Sequence, residues 1–195
     1  MAFQHIEVKR IAGALGAEIF GVDLSKPLSN AEADEVNQAY LDNLVVFFPG
    51  QKLTPDGLLQ VASLFGVPNE YPFAKGMDGY PKITPLVKNP EDKANFGGGA
   101  FHADTTYLET PPVATMLYAV ETPPVGGDTQ FNNQYMALEE MPDSLRSRIE
   151  GRNGIHSARF GYSPSGTYGE NDADSVRAMR IISSDEAYET QLHPM

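Results

Sequence analysis

Hydrophobic and polar positions follow short, distinct patterns along the chain, and these patterns predict a mixture of strands and helices. Ala17–Phe20 carries the clearest strand pattern of the first segment, which glycines punctuate. Ser29 and Glu32 have the form of a capping box, in which a hydroxyl is followed three residues later by a carboxylate. Val36 and later apolar residues recur at helical spacing, so a helix is predicted to begin near Asn30.

The next two segments predict a strand and a second helix. Residues 44–48 are β-branched and aromatic and are followed by Pro49 and a glycine, which predicts a buried strand. Thr54 and Pro55 supply a hydroxyl cap and a proline for the first helical position, so a helix is predicted there, with its end at Gly66.

The middle of the chain predicts loop followed by strands. Residues 67–100 are rich in Pro, Gly, Asn and Lys, which is typical of loops. Residues 101–107 and 113–120 have strand character on either side of two prolines.

The last third predicts two short helices and a glycine-rich segment. Residues 135–141 favour a helix, and Pro142 can open another that ends before Gly151. Residues 161–174 are rich in Gly, Ser and Asp, so we expect a flexible loop or lid.

Composition narrows the classes of function. The chain has 195 residues, which suits a single domain, and it carries 14 Lys and Arg against 26 Asp and Glu, a net charge of −12. This excess of negative charge argues against nucleic acid or an anionic membrane as partner. We expect a small-molecule substrate instead. Homo-oligomer formation is left open. The absence of cysteine excludes disulfides, iron–sulfur clusters and thiolate zinc sites. With neither a secretory signal nor an apolar run of about 18 residues, a cytoplasmic location is expected.

His102 and Asp104 are the strongest candidates for chemistry. On a strand, residues two apart project from the same face, so an imidazole nitrogen and a carboxylate oxygen would converge. They would supply two thirds of the two-histidine, one-carboxylate facial triad that binds non-haem Fe(II) and leaves positions open for other ligands. The alternatives are a surface ion pair and a zinc hydrolase, although the latter has neither a third ligand nor an HExxH helix.

Other polar residues have mostly structural interpretations. Gly126 and Gly127 favour a tight turn, after which the Thr129 hydroxyl could point into a cavity and donate to a carboxylate. His156 and His193 are more often structural than metal-ligating in such contexts. The nucleotide-binding patterns GxGxxG and GxxxxGK[ST] are absent, and so is the hydrolase pattern GxSxG.

Several of these segments, in their order and spacing along nearly the whole chain, resemble the taurine dioxygenase (TauD/TfdA) family of Fe(II)- and 2-oxoglutarate-dependent dioxygenases. The resemblance is carried by residues 15–19, 21–24, 45–48, 65–66, 101–107 with 111–112, and 126–129. It implies an α+β fold whose core is a double-stranded β-helix (jelly roll) with flanking helices. It also implies that His102 and Asp104 bind iron and that Thr129 donates a hydrogen bond to a 2-oxoglutarate carboxylate.

The resemblance further implies the reaction. Members of the family use O₂ to convert 2-oxoglutarate to succinate and CO₂ and to hydroxylate an aliphatic carbon of a small substrate, such as a sulfonate, a sulfate ester or an aryloxyalkanoate. The taurine-binding residues that precede the iron motif are not matched, so taurine itself is not favoured.

The chain departs from the family pattern at its C-terminal end. The family's third ligand is a late histidine, and a later arginine pairs with 2-oxoglutarate, but neither has a counterpart here, because His193 matches a different histidine. We therefore expect a partial, C-terminally truncated domain over residues 1–195, with a jelly roll that is incomplete. The alternative is a non-catalytic fragment or binding protein that keeps only the front half of the fold.

Overall fold

The chain forms two compact units. A computed structural model describes residues 3–91, 101–169 and 179–195. Unit 1 combines Met1–Val67 with Met116–Asp143, and unit 2 combines Pro68–Thr115 with Ser144–Met195. The expectation of one domain over residues 1–195 stays a prediction.

Unit 1 contains a three-stranded mixed sheet near its N-terminus. Its strands are β1 (Glu7–Arg10), β2 (Ala17–Phe20) and β3 (Val46–Phe47). β1 runs antiparallel to β2, and β2 runs parallel to β3. Gly16 and Gly21 flank β2 with φ values of 97° and 94°, a conformation that glycine adopts without steric cost. The strand predicted at Ala17–Phe20 is confirmed.

Two helices of unit 1 begin at caps that the sequence predicts, and a third begins after Asn133. α1 (Asn30–Asn43) has the full capping box: the Ser29 side chain accepts from the Glu32 N–H, and Glu32 accepts from the Ser29 N–H at 2.8 Å. α2 (Pro55–Ala62) is capped by the Thr54 hydroxyl, and α3 (Gln134–Glu139) follows later in the chain. α2 ends at Ala62, four residues before the helix end predicted at Gly66, and residues 63–65 form a turn.

The predicted buried strand over residues 44–48 is wrong in length and burial. Leu44 is the C-cap of α1, with φ 65°, and its N–H donates to the Tyr40 carbonyl at 2.7 Å. This bond extends the end of the helix into the predicted strand, so β3 has only two residues. Phe47 is 41% exposed, because β3 lies at the end of the three-strand order β1-β2-β3.

The core of unit 1 joins the sheet to α1 and α2. Val36 of α1 is fully buried, and Ile19 of β2 is 1% exposed. Val61 is the buried residue of α2, so the apolar stripes of both helices face this core. The buried members of the cluster are Ile6, Ile19, Val22, Leu24, Val36, Ala39 and Val61.

Unit 2 is built around a two-stranded sheet and short helices. α4 (Asp143–Ile149), which belongs to unit 2 from Ser144 onward, leads into β4 (Asn153–His156), and α5 (Arg159–Tyr162) follows. A 3-10 helix (Asp185–Tyr188) precedes β5 (Gln191–Pro194), which pairs antiparallel with β4. The helices predicted from residue 135 and from Pro142 are confirmed as α3 and α4.

The strands predicted over residues 101–107 and 113–120 are wrong. Residues 104–107 form a turn, and residues 114–119 have no regular secondary structure. The side chains of residues 113–115 still alternate in exposure, as in a strand: Val113 and Thr115 are exposed, and Ala114 is half-buried. A strand also needs a hydrogen-bonded neighbour, and no strand within residues 3–91, 101–169 and 179–195 pairs with either segment.

The described elements fit the α+β class, since helices and two small sheets alternate irregularly along the chain. Residues 67–91 contain no helix or strand, as predicted for that part of the loop. No helix among the described residues is long and apolar enough to cross a membrane.

Candidate active site

His102 and Asp104 meet in unit 2. The His102 Nε2 lies 3.2 Å from Asp104 Oδ1, and the two side chains are 65% and 50% exposed. The pair comes together without a strand, because the chain turns at Asp104 rather than continuing extended. The contact is a surface ion pair, one of the alternatives given above, and it places a nitrogen and an oxygen donor side by side at one accessible point. The local structure that brings them together differs from the predicted strand.

The Asp104 carboxylate has a second partner on its other oxygen. The Thr115 hydroxyl donates to Asp104 Oδ2 at 2.9 Å. A hydrogen bond from a residue that does not itself bind the metal fixes the orientation of a carboxylate ligand. Asp104 can thus present Oδ1 to a metal ion while Oδ2 stays with Thr115.

Two histidines anchor the turn that follows Asp104. His156 Nδ1 shares a hydrogen bond of 2.9 Å with the Thr106 hydroxyl, and His193 Nε2–H donates to the Leu108 carbonyl at 3.1 Å. Their rings, carried by the paired strands β4 and β5, lie 5.1 Å apart in an edge-to-face arrangement. The contacts of His156 and His193 agree with the structural interpretation of both residues.

A group of tyrosine hydroxyls lies in the same unit and was not predicted. The Tyr71 and Tyr162 hydroxyl oxygens are 2.9 Å apart, and the Tyr107 hydroxyl donates to Tyr71 at 3.1 Å. Phe73 stacks on Tyr162 with ring centroids 5.1 Å apart. The sequence signal was weak, because these residues lie up to 91 positions apart and nothing in the local pattern joins them.

These hydroxyls are neutral at pH 7 even at the ordinary tyrosine pKa of about 10, and burial favours the neutral form further. Burial raises the pKa of Tyr107 to about 12, and it raises the pKa values of Tyr71 and Tyr162 well above the usual range. The negative charge of Asp104 acts in the same direction on all three phenols. The three tyrosines are therefore neutral hydrogen-bonding groups at neutral pH, within electrostatic range of Asp104.

Thr129 belongs to unit 1 and is exposed. Gly126 and Gly127 before it have φ values of 84° and 76°, so the glycines provide the positive φ that the sequence indicated. The contact of Thr129 with 2-oxoglutarate stays a prediction.

The donor set fits two positions of an iron site. An imidazole and a carboxylate are ligand types of the Fe(II) facial triad, and both are accessible here. Within the described part of the chain, no group of three or more His, Cys, Asp or Glu side chains could hold a metal ion. His102 and Asp104 are of the ligand types of two of the three positions, and their role as iron ligands stays a prediction.

The predicted lid is described only in part. Residues 161 and 162 end α5, and residues 163–169 form bends and turns. The Tyr168 N–H donates to the Gly161 carbonyl at 2.8 Å, and Ser163 is 1% exposed. Residues 170–174 lie outside the described residues, as do the glycines at 97–99 that precede the His102 motif. The lid function stays a prediction.

Comparison with known proteins supplies independent information. The chain is 28% identical over 193 residues to an alkylsulfatase of Acinetobacter baylyi, covering 98% of this chain and 59% of that protein. It is 31% identical over 192 residues to an alpha-ketoglutarate-dependent sulfate ester dioxygenase of Pseudomonas putida, covering 98% of this chain and 62% of that protein. The chain therefore spans about three fifths of the length of these curated relatives.

The structure is similar to solved dioxygenases as well. A taurine dioxygenase from Burkholderia xenovorans superposes with a TM-score of 0.67 at 32% identity, over 79% of this chain and 54% of that one. The family model described as taurine catabolism dioxygenase TauD, TfdA family matches residues 7–195. His102, Asp104 and Thr129 all fall inside this match, and the chain belongs to the TauD, TfdA family.

Proposed function

We propose that this chain is part of an Fe(II)/2-oxoglutarate-dependent dioxygenase that hydroxylates an aliphatic carbon of a small anionic substrate. The observation that carries the proposal is the 3.2 Å approach of His102 Nε2 to Asp104 Oδ1 on an accessible surface, within a segment that matches the family. The substrate is a sulfate ester, a sulfonate or an aryloxyalkanoate. Sulfate esters are favoured, because a sulfate ester dioxygenase is among the relatives.

His102 and Asp104 would hold the iron, with Thr115 fixing the carboxylate that Asp104 presents. When bound, ferrous iron with O₂ and 2-oxoglutarate supplies the oxidising chemistry that yields succinate, CO₂ and a hydroxylated product. Thr129 donates a hydrogen bond to a 2-oxoglutarate carboxylate. The tyrosine hydroxyls provide neutral polar groups within electrostatic range of Asp104.

The proposal extends to the fold and to the missing ligand. We place the third iron ligand and the arginine partner of 2-oxoglutarate outside the described residues. The jelly-roll core of the family belongs to the same proposal. A cytoplasmic location belongs to the same proposal.

An anaerobic titration of the gene product that contains this chain tests the activity. Adding Fe(II) and 2-oxoglutarate should produce a weak visible metal-to-ligand charge-transfer band, and admitting O₂ with an alkyl sulfate should release succinate. A protein that gives neither the band nor succinate with any of the three substrate types contradicts the proposal.

A second candidate function is a binding protein without catalysis. The absence of a third ligand from the described residues favours it for the 195-residue chain taken alone. The discriminating measurement uses that chain by itself: stoichiometric Fe(II) binding together with turnover eliminates this candidate.

A further inference from the structure

Two histidines and a glycine share one face of the two-stranded sheet in unit 2. Gly154 of β4 is the register partner of His193 of β5, and His156 lies two residues after Gly154. Strand residues two apart project from the same face, and so do register partners, so the two imidazoles flank a position without a side chain. Their ring centroids are 5.1 Å apart, with an interplanar angle of 66°.

Each imidazole uses one ring nitrogen and leaves the other without a hydrogen-bond partner among the described residues. His156 Nδ1 shares its bond with the Thr106 hydroxyl, and His193 Nε2–H donates to the Leu108 carbonyl. A neutral imidazole carries a proton on one nitrogen only, so the second nitrogen has an available lone pair. The two rings therefore offer His156 Nε2 and His193 Nδ1 as donors to a metal ion.

This arrangement has the form that histidine ligands take at metal sites. A metal-ligating histidine usually donates its other ring N–H to a backbone carbonyl or another fixed acceptor, which sets the tautomer and the ring orientation. Two imidazoles on one tetrahedral zinc ion, with Zn–N distances of about 2.0–2.1 Å, have ring centroids about 5 Å apart. The observed centroid separation of 5.1 Å agrees with this geometry.

Gly154 leaves the room that an ion would need. An ideal Cβ at this position would lie 2.9 Å from His156 Nε2, closer than side chains normally approach, so the unused nitrogen lies over the glycine. Both histidines are half-buried, and solvent therefore reaches this face of the sheet.

We propose that His156 Nε2 and His193 Nδ1 bind a divalent transition-metal ion of the zinc and copper class, with water completing the coordination. Imidazole suits these ions, whereas Mg(II) prefers oxygen ligands. No third His, Cys, Asp or Glu among the described residues joins the pair, so the ion is exchangeable. The inference does not rest on the proposed function, because neither histidine is a proposed iron ligand.

Calorimetric titration with Zn(II) tests the site in the untagged gene product that contains this chain. The parent protein for every measurement carries His102→Ala and Asp104→Ala, so that the proposed iron ligands do not take up zinc. The parent should bind Zn(II) and should not bind Mg(II) at the same concentrations. His5→Gln is the matched control, because it removes an exposed histidine of unit 1, and it should bind Zn(II) like the parent.

Two substitutions remove the donor nitrogens and keep the existing hydrogen bonds. In His156→Asn the amide retains a polar group for the Thr106 hydroxyl, and in His193→Gln the amide retains an N–H for the Leu108 carbonyl. Each variant should bind Zn(II) about tenfold or more weakly than the parent, because loss of a ligand costs at least as much as loss of its outer hydrogen bond.

Two further measurements address the position of the ion. Gly154→Ala leaves both histidines in place but puts a methyl group against His156 Nε2, so Zn(II) binding should fall as in the histidine variants. Cu(II) bound to the parent, in which none of the residues of this site is changed, should give an electron paramagnetic resonance spectrum with coupling to two imidazole nitrogens.

Three results would each overturn the inference. These are a parent that does not bind Zn(II), equal Zn(II) affinity in the parent and the folded histidine variants, and a Cu(II) spectrum without coupling to two nitrogens. Circular dichroism checks the folding of every variant. If a variant does not fold, the Cu(II) spectrum of the parent decides the question.

Discussion

The Thr115 hydroxyl donates a hydrogen bond of 2.9 Å to the Asp104 carboxylate oxygen that does not face His102. Both carboxylate oxygens therefore have a partner, Thr115 on Oδ2 and His102 on Oδ1. This arrangement gives Thr115 a positioning role for the proposed iron ligand.

Replacing Thr115 with valine should weaken metal binding. Loss of an outer hydrogen bond to a ligand typically lowers metal affinity by about 10- to 100-fold. Competition with a metal chelator measures this effect under anaerobic conditions, and Thr115→Ser is the control because it retains the hydroxyl. Equal affinity in the valine variant and the wild type would show that the Asp104 orientation does not depend on Thr115.

Replacing either proposed ligand with alanine should abolish iron-dependent turnover without unfolding the protein. His102 and Asp104 are 65% and 50% exposed, so neither substitution opens a cavity in a core. Succinate release measures turnover, and circular dichroism measures folding. A wild-type rate in His102→Ala or Asp104→Ala would contradict the ligand assignment.

Replacing Thr129 with alanine should raise the 2-oxoglutarate concentration needed for half-maximal rate more than it lowers the maximal rate. A hydrogen bond to a charged group contributes about 1.5–3 kcal/mol, which corresponds to roughly a 10- to 100-fold change in affinity. Steady-state kinetics at varied 2-oxoglutarate test this effect, with Thr129→Ser as the control. An unchanged requirement in the alanine variant would refute the assigned contact.

Glu35 should make unit 1 sensitive to acid. Partial burial acts to raise the pKa of the Glu35 carboxyl, but backbone N–H bonds from Gln4, His5 and Ile6 outweigh it and hold the pKa at about 2. The folded state therefore binds fewer protons than the unfolded state, whose carboxyl has the ordinary value of 4.5. The stabilisation is complete above that value and is lost as the pH falls toward about 2.

Urea denaturation at several pH values tests the role of Glu35. Between pH 4.5 and 2, the stability of the wild type should fall more steeply than that of Glu35→Gln, which has no carboxyl to protonate there. Asp34→Asn, an exposed neighbour on α1, is the matched control and should retain most of the wild-type slope. Identical slopes for Glu35→Gln and the wild type would exclude the contribution.

The sequence determined the elements that depend on neighbours three or four residues away. The Ser29–Glu32 capping box, the Thr54 cap and the proline that starts α2 all appear as predicted, because each depends on atoms within a single helical turn. The pairing of His102 with Asp104 was also predicted, since residues two apart can meet in either a strand or a turn.

Only the tertiary structure decided features that depend on distant partners. Residues 101–107 have strand-forming side chains, but strand formation requires a hydrogen-bonded neighbour that sequence pattern cannot supply. The cluster of Tyr71, Tyr107 and Tyr162 joins positions up to 91 residues apart. Helix caps and turns are determined by residues that are neighbours in the sequence. Strand pairing and side-chain burial depend on residues that are distant in the sequence and become neighbours only in the folded chain.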